Sequence, residues 1–460
     1  MIRKFIILFF VILIPLNLIS CGNAGSNNGN GKSEVKIMLK ATEETVDLLP
    51  KKLREYLTEA QKYNTNDYTY TIVNDYFQGN QSPVIPELCW NYENFEKIIS
   101  VKCLISESED LENPIIYSYE KPTKNSGRCY PLNLLTGKKY FWQVQATLED
   151  DTTIKSEILS FETTFGPRLL SIDGVENARD IGGWKTTDGK EIIQGLAFRS
   201  GKFYTADGNK NITDEGIKTL LSDLKIKTHI DLRWGTELSP DGTTVPSESL
   251  LSDDLNFLVA SIGGDEAFFQ KHKTNREAIS LFADINNYPI IFHCAAGADR
   301  TGALAFILKA VAGVSENDLI ADYEITPWRN RAGTEADHDF SAFIKKFKEY
   351  EGETIKEKAW NYCHNECGLS YMELSNIESI LTGGKTYFDA DSLTVRNAKF
   401  NQNVGFFIIT DNDDNISKVL IDGKSVDFHF DGEFLELTAT GKIGEIHLSS
   451  GNKLYFEIGL

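Results

Sequence analysis

The chain has 460 residues, enough for about three domains of ordinary size. Its 47 Lys and Arg stand against 67 Asp and Glu, a net charge of −20, so it gains nothing from counterion release on a phosphate backbone and no nucleic-acid partner is expected. At 41% hydrophobic and 11% aromatic it can build large cores, and seven cysteines are too sparse for a disulfide scaffold.

Arg3 and Lys4 precede an apolar run from Phe5 to Leu16, which ends at Leu18-Ile19-Ser20-Cys21. The run has a signal peptide's length, not a membrane span's, so residues 1–20 are expected to be removed. Leu-Ile-Ser-Cys resembles the lipobox of bacterial lipoproteins, which implies an acylated Cys21 as the mature N-terminus. The protein would then be exported and lipid-anchored to the cell envelope, at the outer membrane or cell surface, and would meet the membrane through that anchor alone. A plain secretory signal with a chance cysteine is the alternative. Residues 21–34, rich in Gly, Asn and Ser, read as a flexible tether. Loss of Arg3 and Lys4 leaves 45 basic against 67 acidic residues, or −22, which holds the body off an anionic leaflet.

Residues 35–65 carry Leu48, Leu49, Leu53 and Leu57 at three- and four-residue steps, which predicts a helical segment. Residues 66–166 read as β structure, from the alternation in Tyr68–Ile72, Ile115–Tyr119 and Tyr140–Ala146. Leu135, Gly137, Tyr140, Trp142, Val144, Ala146, Ser156, Phe161 and Thr163 fall at the spacing of the last two strands of a fibronectin type III-like sandwich, and this stretch resembles one. Such sandwiches hold or present other domains. Cys89, Cys103 and Cys129 supply either one disulfide or three buried thiols, and the sequence does not choose.

In the middle region an apolar strand, Pro289-Ile290-Ile291-Phe292, runs into His293-Cys294-Ala295-Ala296-Gly297-Ala298-Asp299-Arg300-Thr301-Gly302 and then the helical Ala303–Leu308. A loop entering a helix N-terminus turns successive N–H groups inward as an anion cradle. Ala295, Ala296, Gly297 and Ala298 are small enough for the tight wrap, and Arg300 offers a planar fork for two phosphate oxygens. The same donors and the helix dipole favour a thiolate at Cys294. Thr301 is placed to donate its hydroxyl to that sulfur, and His293 to orient the loop from behind. A structural cysteine before a helix would not explain arginine and histidine together.

His-Cys-x-Ala-Gly-x-Asp-Arg-Thr-Gly resembles the P-loop of the atypical bacterial and fungal tyrosine phosphatase family, which has dual-specificity and phosphoinositide-active members. Asn177-Ala178-Arg179-Asp180-Ile181-Gly182-Gly183, Phe198-Arg199-Ser200-Gly201, Thr228–Arg233 with Glu237, and Gly313-Val314-Ser315 through Thr326 resemble its other blocks in the same order. Together they cover about residues 167–384. The resemblance implies an α/β cysteine-phosphatase domain with Cys294 as nucleophile, Arg300 as phosphate clamp, and Asp299 as a general acid inside the loop. Asp231 is the reserve acid. Arg179 and Asp180 are a buried pair shaping the site or else substrate contacts. Phosphoinositide-active relatives tend to carry lysine where this chain has Ala298. No metal or other cofactor is expected, because Arg300 and the loop amides hold the charge that a metal holds elsewhere.

Cys363-His364 with Cys367 lacks a fourth metal ligand and reads as structural. Trp328-Arg329-Asn330-Arg331, with Glu335, Asp337, His338 and Asp339, reads as an exposed loop. Residues 385–460 form a small β domain, with strands at Gly405–Ile409 and Lys453–Ile458 and turns at Asp422-Gly423 and Asp431-Gly432. Asp411–Asn415 fails the calcium-loop pattern, because the sixth and twelfth places are Ile416 and Asp422.

The expected protein is multidomain: an N-terminal fibronectin III-like β-sandwich, a central α/β cysteine-phosphatase domain and a small C-terminal β domain. Its expected function is phosphomonoester hydrolysis through a phosphocysteine, on phosphorylated proteins as a protein-tyrosine or dual-specificity phosphatase. Phosphoinositides or other small phosphomonoesters on the same site, or a surface binding protein with an inert phosphatase domain, are the alternatives.

Overall fold

The computed structural model describes residues 34–60, 82–326, 340–383, 403–407, 416–430, 434–438, 443–449 and 453–457. The signal, Cys21, the tether, Tyr68–Ile72, the loop at 328–339, Asp411–Asn415 and the Asp431-Gly432 turn lie outside them. Among the described residues no helix is long and apolar enough to cross a membrane.

The N-terminal region is a two-sheet sandwich. Strands β1 (Lys36–Leu39), β3 (Leu88–Glu93) and β6 (Ser126–Cys129) form one sheet in the order β1-β3-β6. The other runs β2 (Thr45–Val46), β9 (Leu159–Thr163), β7 (Lys139–Leu148), β4 (Ile98–Ser106), β5 (Ile115–Glu120), with β8 (Thr153–Lys155) beside β7. Period-two alternation sends Tyr140, Trp142, Val144 and Ala146 inward from β7 and Leu88, Trp90 and Tyr92 inward from β3, and they share one core.

The helical expectation for residues 35–65 is corrected. Lys36–Leu39 is a strand paired antiparallel with β3, Thr45–Val46 pairs with β9, and among the described residues of this stretch only α1 (Lys51–Ala60) is helical. Leu48 belongs to the sandwich core, whereas Leu49, Leu53 and Leu57 belong to the central one. The leucine spacing therefore reports a helix that starts after Pro50, where proline's fixed φ suits a helix start.

The central domain is a five-stranded sheet in the order β10 (Arg179–Asp180), β11 (Ala197–Ser200), β14 (Ile290–His293), β12 (Thr228–Asp231), β13 (Asn256–Val259). All neighbours are parallel except β10 and β11. Every residue of β11, β12 and β14 is buried, so the apolar run of β14 shows no alternation, while β11 and β12 bring Arg199, Ser200, His229 and Asp231 inside with partners. Around the sheet lie α2 (Asp214–Lys218), α3 (His272–Ser280), α4 (Asp299–Val311), α5 (Glu316–Glu324), α6 (Ser341–Phe347), α7 (Ile355–Asn361) and α8 (Tyr371–Thr382). All but the first two residues of α4 are buried, so it is a central helix covered on every side. Gly302 is required there, because a Cβ would lie 2.6 Å from the Tyr323 ring of α5.

The sandwich is bolted to this domain by polar contacts. Arg168 donates to the carbonyls of Asn133 and Leu134 and pairs with Asp180 at 3.1 Å. Thr136 and Gln194 bond reciprocally, as do Asn133 and Ser171. Past α8 the described strands make a three-stranded sheet and a four-stranded sheet. In the latter, Asp422 and Gly423 (φ 47° and 75°) form the expected two-residue turn between Ile421 and Lys424.

Candidate active site

Cys294 follows β14, the middle strand of the sheet, at its C-terminal end, where ligands of open α/β sheets bind. His293 lies in register with Ser200 of β11 on one side and Asp231 of β12 on the other. The chain from Cys294 to Ala298 then wraps into the N-terminus of α4. Gly297 makes the bend with φ 69°, and a Cβ there would lie 2.5 Å from Ser200 O.

Every carbonyl of this loop is held from outside. His293 Nδ1 bonds Cys294 O at 3.0 Å, and Lys202 N donates to Ala295 O at 3.1 Å. Asn177 Nδ2 donates to Ala296 O at 3.1 Å and Gly297 O at 3.0 Å. Arg199 Nη2 donates to Gly297 O at 2.9 Å, and Gly302 N to Ala298 O at 2.6 Å. In a trans peptide the N–H points opposite to the C=O, so outward carbonyls aim the following amides into the loop. The amides of Ala295, Ala296, Gly297 and Ala298 have no acceptor among the described residues.

Behind the loop lies a buried charge cluster. Asp322 of α5 meets Arg199 Nη1 at 2.7 Å, Lys309 Nζ at 2.7 Å and Arg179 Nε at 3.3 Å, and none of the four side chains is more than 2% exposed. Three cations share one carboxylate. Burial alone would raise the Asp322 carboxyl, but the three cations hold it well below the usual range. Burial, with Arg199 and Arg179 adding repulsion, pulls Lys309 down to about 8 against the attraction of Asp322. Asn177, Arg199 and Asp322 sit in segments that the sequence singles out, yet sequence reasoning gave them no role and missed Lys309 altogether.

A second support runs through two histidines. His229 Nε2 and His293 Nε2 are 2.8 Å apart, and His229 Nδ1 is 2.8 Å from Ser249 Oγ. Burial holds both rings below the ordinary histidine value, so both are neutral. His293 Nδ1 must donate to Cys294 O, so His229 donates to His293 and accepts from Ser249. The expectation that His293 orients the loop agrees with this geometry.

Three expected roles are corrected. Asp231 is fully buried, bonded twice by Arg233 (2.9 and 2.7 Å) and by the Tyr204 hydroxyl (3.0 Å). Burial opposes its charge, but Arg233, hydrogen-bonded to both carboxylate oxygens, holds the carboxyl far down, so in this arrangement it is not placed to give a proton. Arg179 and Asp180 do not pair with each other: successive strand residues face opposite ways, and Arg179 reaches Asp322 while Asp180 reaches Arg168. The Thr301 hydroxyl is buried with no hydrogen-bond partner among the described residues, so it does not bond Cys294 here.

Asp299 accepts from the Tyr323 hydroxyl at 2.8 Å, and Tyr323 stacks on Phe340 with ring centroids 3.8 Å apart. Arg300 is gripped end-on by Glu237: Nη1 meets Oε2 at 2.5 Å and Nη2 meets Oε1 at 2.8 Å. Burial works against the Arg300 charge, but Glu237 and Cys294 keep it above its ordinary value. A guanidinium has a second fork, Nε with Nη2, and the end-on grip leaves that edge for another oxyanion. Glu237→Gln should therefore lower kcat/KM for an aryl phosphate by roughly 10- to 100-fold through lost orientation. Its melting temperature should hardly move, because the pair is partly exposed. Steady-state kinetics beside a thermal melt checks both.

Cys363 is fully buried, His364 Nδ1 bonds Leu369 O at 2.7 Å, and no group of three or more metal-ligating side chains occurs among the described residues. A cavity of about 580 Å³ lined by Phe269, His272, Lys346, Tyr350 and Glu366 includes no residue of the loop.

The profile of the tyrosine phosphatase family matches residues 170–388, a little under half of the chain. A protein of Cupriavidus necator, named provisionally as a tyrosine-protein phosphatase, is 28% identical over an alignment of 185 positions that covers 36% of this chain and 65% of that protein. Two structures of the S. cerevisiae PP-IP phosphatase Siw14, one of its core catalytic domain with citrate and one of its catalytic core, were also matched. They are 18% and 17% identical, cover 37% and 38% of this chain and 88% and 92% of theirs, and have TM-scores of 0.25 and 0.26. Overlap that slight does not bear on the fold.

Proposed function

We propose that the chain is a cysteine-dependent phosphomonoesterase acting on aryl phosphates of the phosphotyrosine kind. The observation that carries this is the loop at Cys294–Ala298, whose carbonyls are all held outward around a cysteine at the end of the central strand. The inward amides and the free fork of Arg300 hold three phosphate oxygens, and Cys294 attacks phosphorus in line with the leaving oxygen. Asp299 gives that oxygen a proton, forming phosphocysteine. It then takes a proton from the water that releases phosphate.

Cys294 is only 2% exposed, so it lies at the floor of the site and suits a phosphate carried out on a ring more than one on a short serine. Trp234, 61% exposed and three residues before Glu237, offers a ring face at the mouth for the substrate's aromatic group. Ala298 supplies no charge for further phosphates, which favours a single phosphomonoester over a polyphosphorylated inositol.

Asp299→Asn tests the acid. A nitrophenolate leaves without a proton, whereas a tyrosine phenolate, with its pKa near 10, needs one. The variant should spare nitrophenyl phosphate and slow phosphotyrosine by about 10²- to 10⁴-fold in single-turnover assays. An equal fall for both would assign Asp299 to loop structure instead.

The flanking β modules are proposed as spacers, the first of fibronectin III type, on an exported chain anchored through Cys21. This placement rests on the sequence of the first 34 residues. In detergent partitioning the wild type should enter the detergent phase and Cys21→Ala should stay in the aqueous one.

A further inference from the structure

Each sheet of the sandwich turns one cysteine into the shared core. Cys103 of β4 and Cys129 of β6 are both 0% exposed and lie in the same core, close enough for each thiol to act on the other's ionisation. The two strands belong to different sheets, so the contact crosses the core rather than running along a ladder. Cys89 is the sandwich's third cysteine, and strand alternation excludes it. On β3 the inward residues are Leu88, Trp90 and Tyr92, while Cys89 sits half-buried on the other face beside Glu87.

We propose that Cys103 and Cys129 are a disulfide site that staples the two sheets together. Closure is a two-electron oxidation, with an organic disulfide such as oxidised glutathione as the acceptor. One of the two cysteine thiolates attacks it, forming a mixed disulfide and releasing one glutathione thiolate. The other thiolate then displaces the second glutathione, so two protein protons are given up, one S–S bond forms and two glutathione thiols leave. Because both sulfurs are buried in the folded state, exchange takes place while the sandwich is still open.

The bond also bears on the neighbouring domain. Asn133, four residues after Cys129, opens the turn that grips Arg168, which in turn holds Asp180. Closing 103 to 129 restricts the unfolded chain and fixes the strand that feeds this turn.

The full chain, carrying Cys294→Ser so that the active-site thiol cannot react, is unfolded and refolded with oxidised or with reduced glutathione. Remaining thiols are alkylated in denaturant and the peptides mapped. Oxidative refolding should join the Cys103 and Cys129 peptides, leave Cys89 alkylated, and raise the melting temperature by on the order of 5–10 °C over the reduced form. With Cys103→Ala added, that redox difference should vanish. Alkylation of both Cys103 and Cys129 after oxidation, a Cys89–Cys129 pair, or a bond that leaves the melting temperature unchanged would overturn the proposal. Mapping the same chain isolated from an oxidising compartment gives the same reading without refolding.

Discussion

Cys294→Ser is expected to abolish turnover, by at least about 10³-fold in kcat, while phosphate or vanadate still binds. Serine is nearly isosteric and leaves untouched the groups that hold the loop carbonyls: His293, Lys202, Asn177, Arg199 and Gly302. The cradle therefore survives. What is lost is the nucleophile, because a serine hydroxyl does not ionise near neutral pH, and neither Asp231, locked on Arg233 and Tyr204, nor His293, committed through Nδ1 to the Cys294 carbonyl, is free to take its proton. Competitive titration by calorimetry, with a single-turnover search for phosphoenzyme, separates the two effects. Retained turnover would remove the covalent reading, and lost anion binding would mean that sulfur helps to build the cradle.

Asp322→Asn should be the most destabilising single change at the site, costing about 3–5 kcal/mol in denaturant unfolding. It removes the one carboxylate shared by Arg179, Arg199 and Lys309, leaving three fully buried cations without an anion. The loss should shrink as pH rises towards about 8, because Asp322 keeps Lys309 protonated up to about 8 in the wild type and without that attraction the buried amine sheds its proton at lower pH. Adding Lys309→Met should restore part of the stability by removing one uncompensated charge, and a double-mutant cycle measures the coupling. The wild type carries the acid-side counterpart. The Asp322 and Asp231 carboxyls lie well below their unfolded values, so the unfolded chain binds protons near pH 4 that the folded chain refuses. Their stabilisation is complete above that range and is lost as pH falls through it. Stability that holds level down to pH 3 would contradict the arrangement.

Some of this was legible in the residues alone. A cysteine loop between an apolar strand and a helix carries its chemistry in its own spacing, because the cradle is built from consecutive backbone groups and short-range geometry sets it. For the same reason the strands at Ile115–Glu120 and Lys139–Leu148 and the Asp422-Gly423 turn were readable: alternation and left-handed φ are local properties. Residues 35–49 misled because leucines at helical spacing served two different cores, a fact only the packing holds.

The supports of the loop were not legible, because they are partnerships across the chain. Asp322 lies 143 residues from Arg179 and 123 from Arg199, and Glu237 lies 63 from Arg300. No periodicity or spacing records which carboxylate a buried arginine will meet. Asp231 shows the cost of arguing from position: a strand's end beside the loop looked right for an acid, but its charge is fixed by Arg233, two residues away and folded back onto it. The sequence located the cysteine loop proposed as nucleophile and phosphate cradle, because local backbone geometry suffices for that. Tertiary structure decided which charges hold the cradle open, because burial removes water and leaves each ion dependent on whatever partner the fold places within about 3 Å.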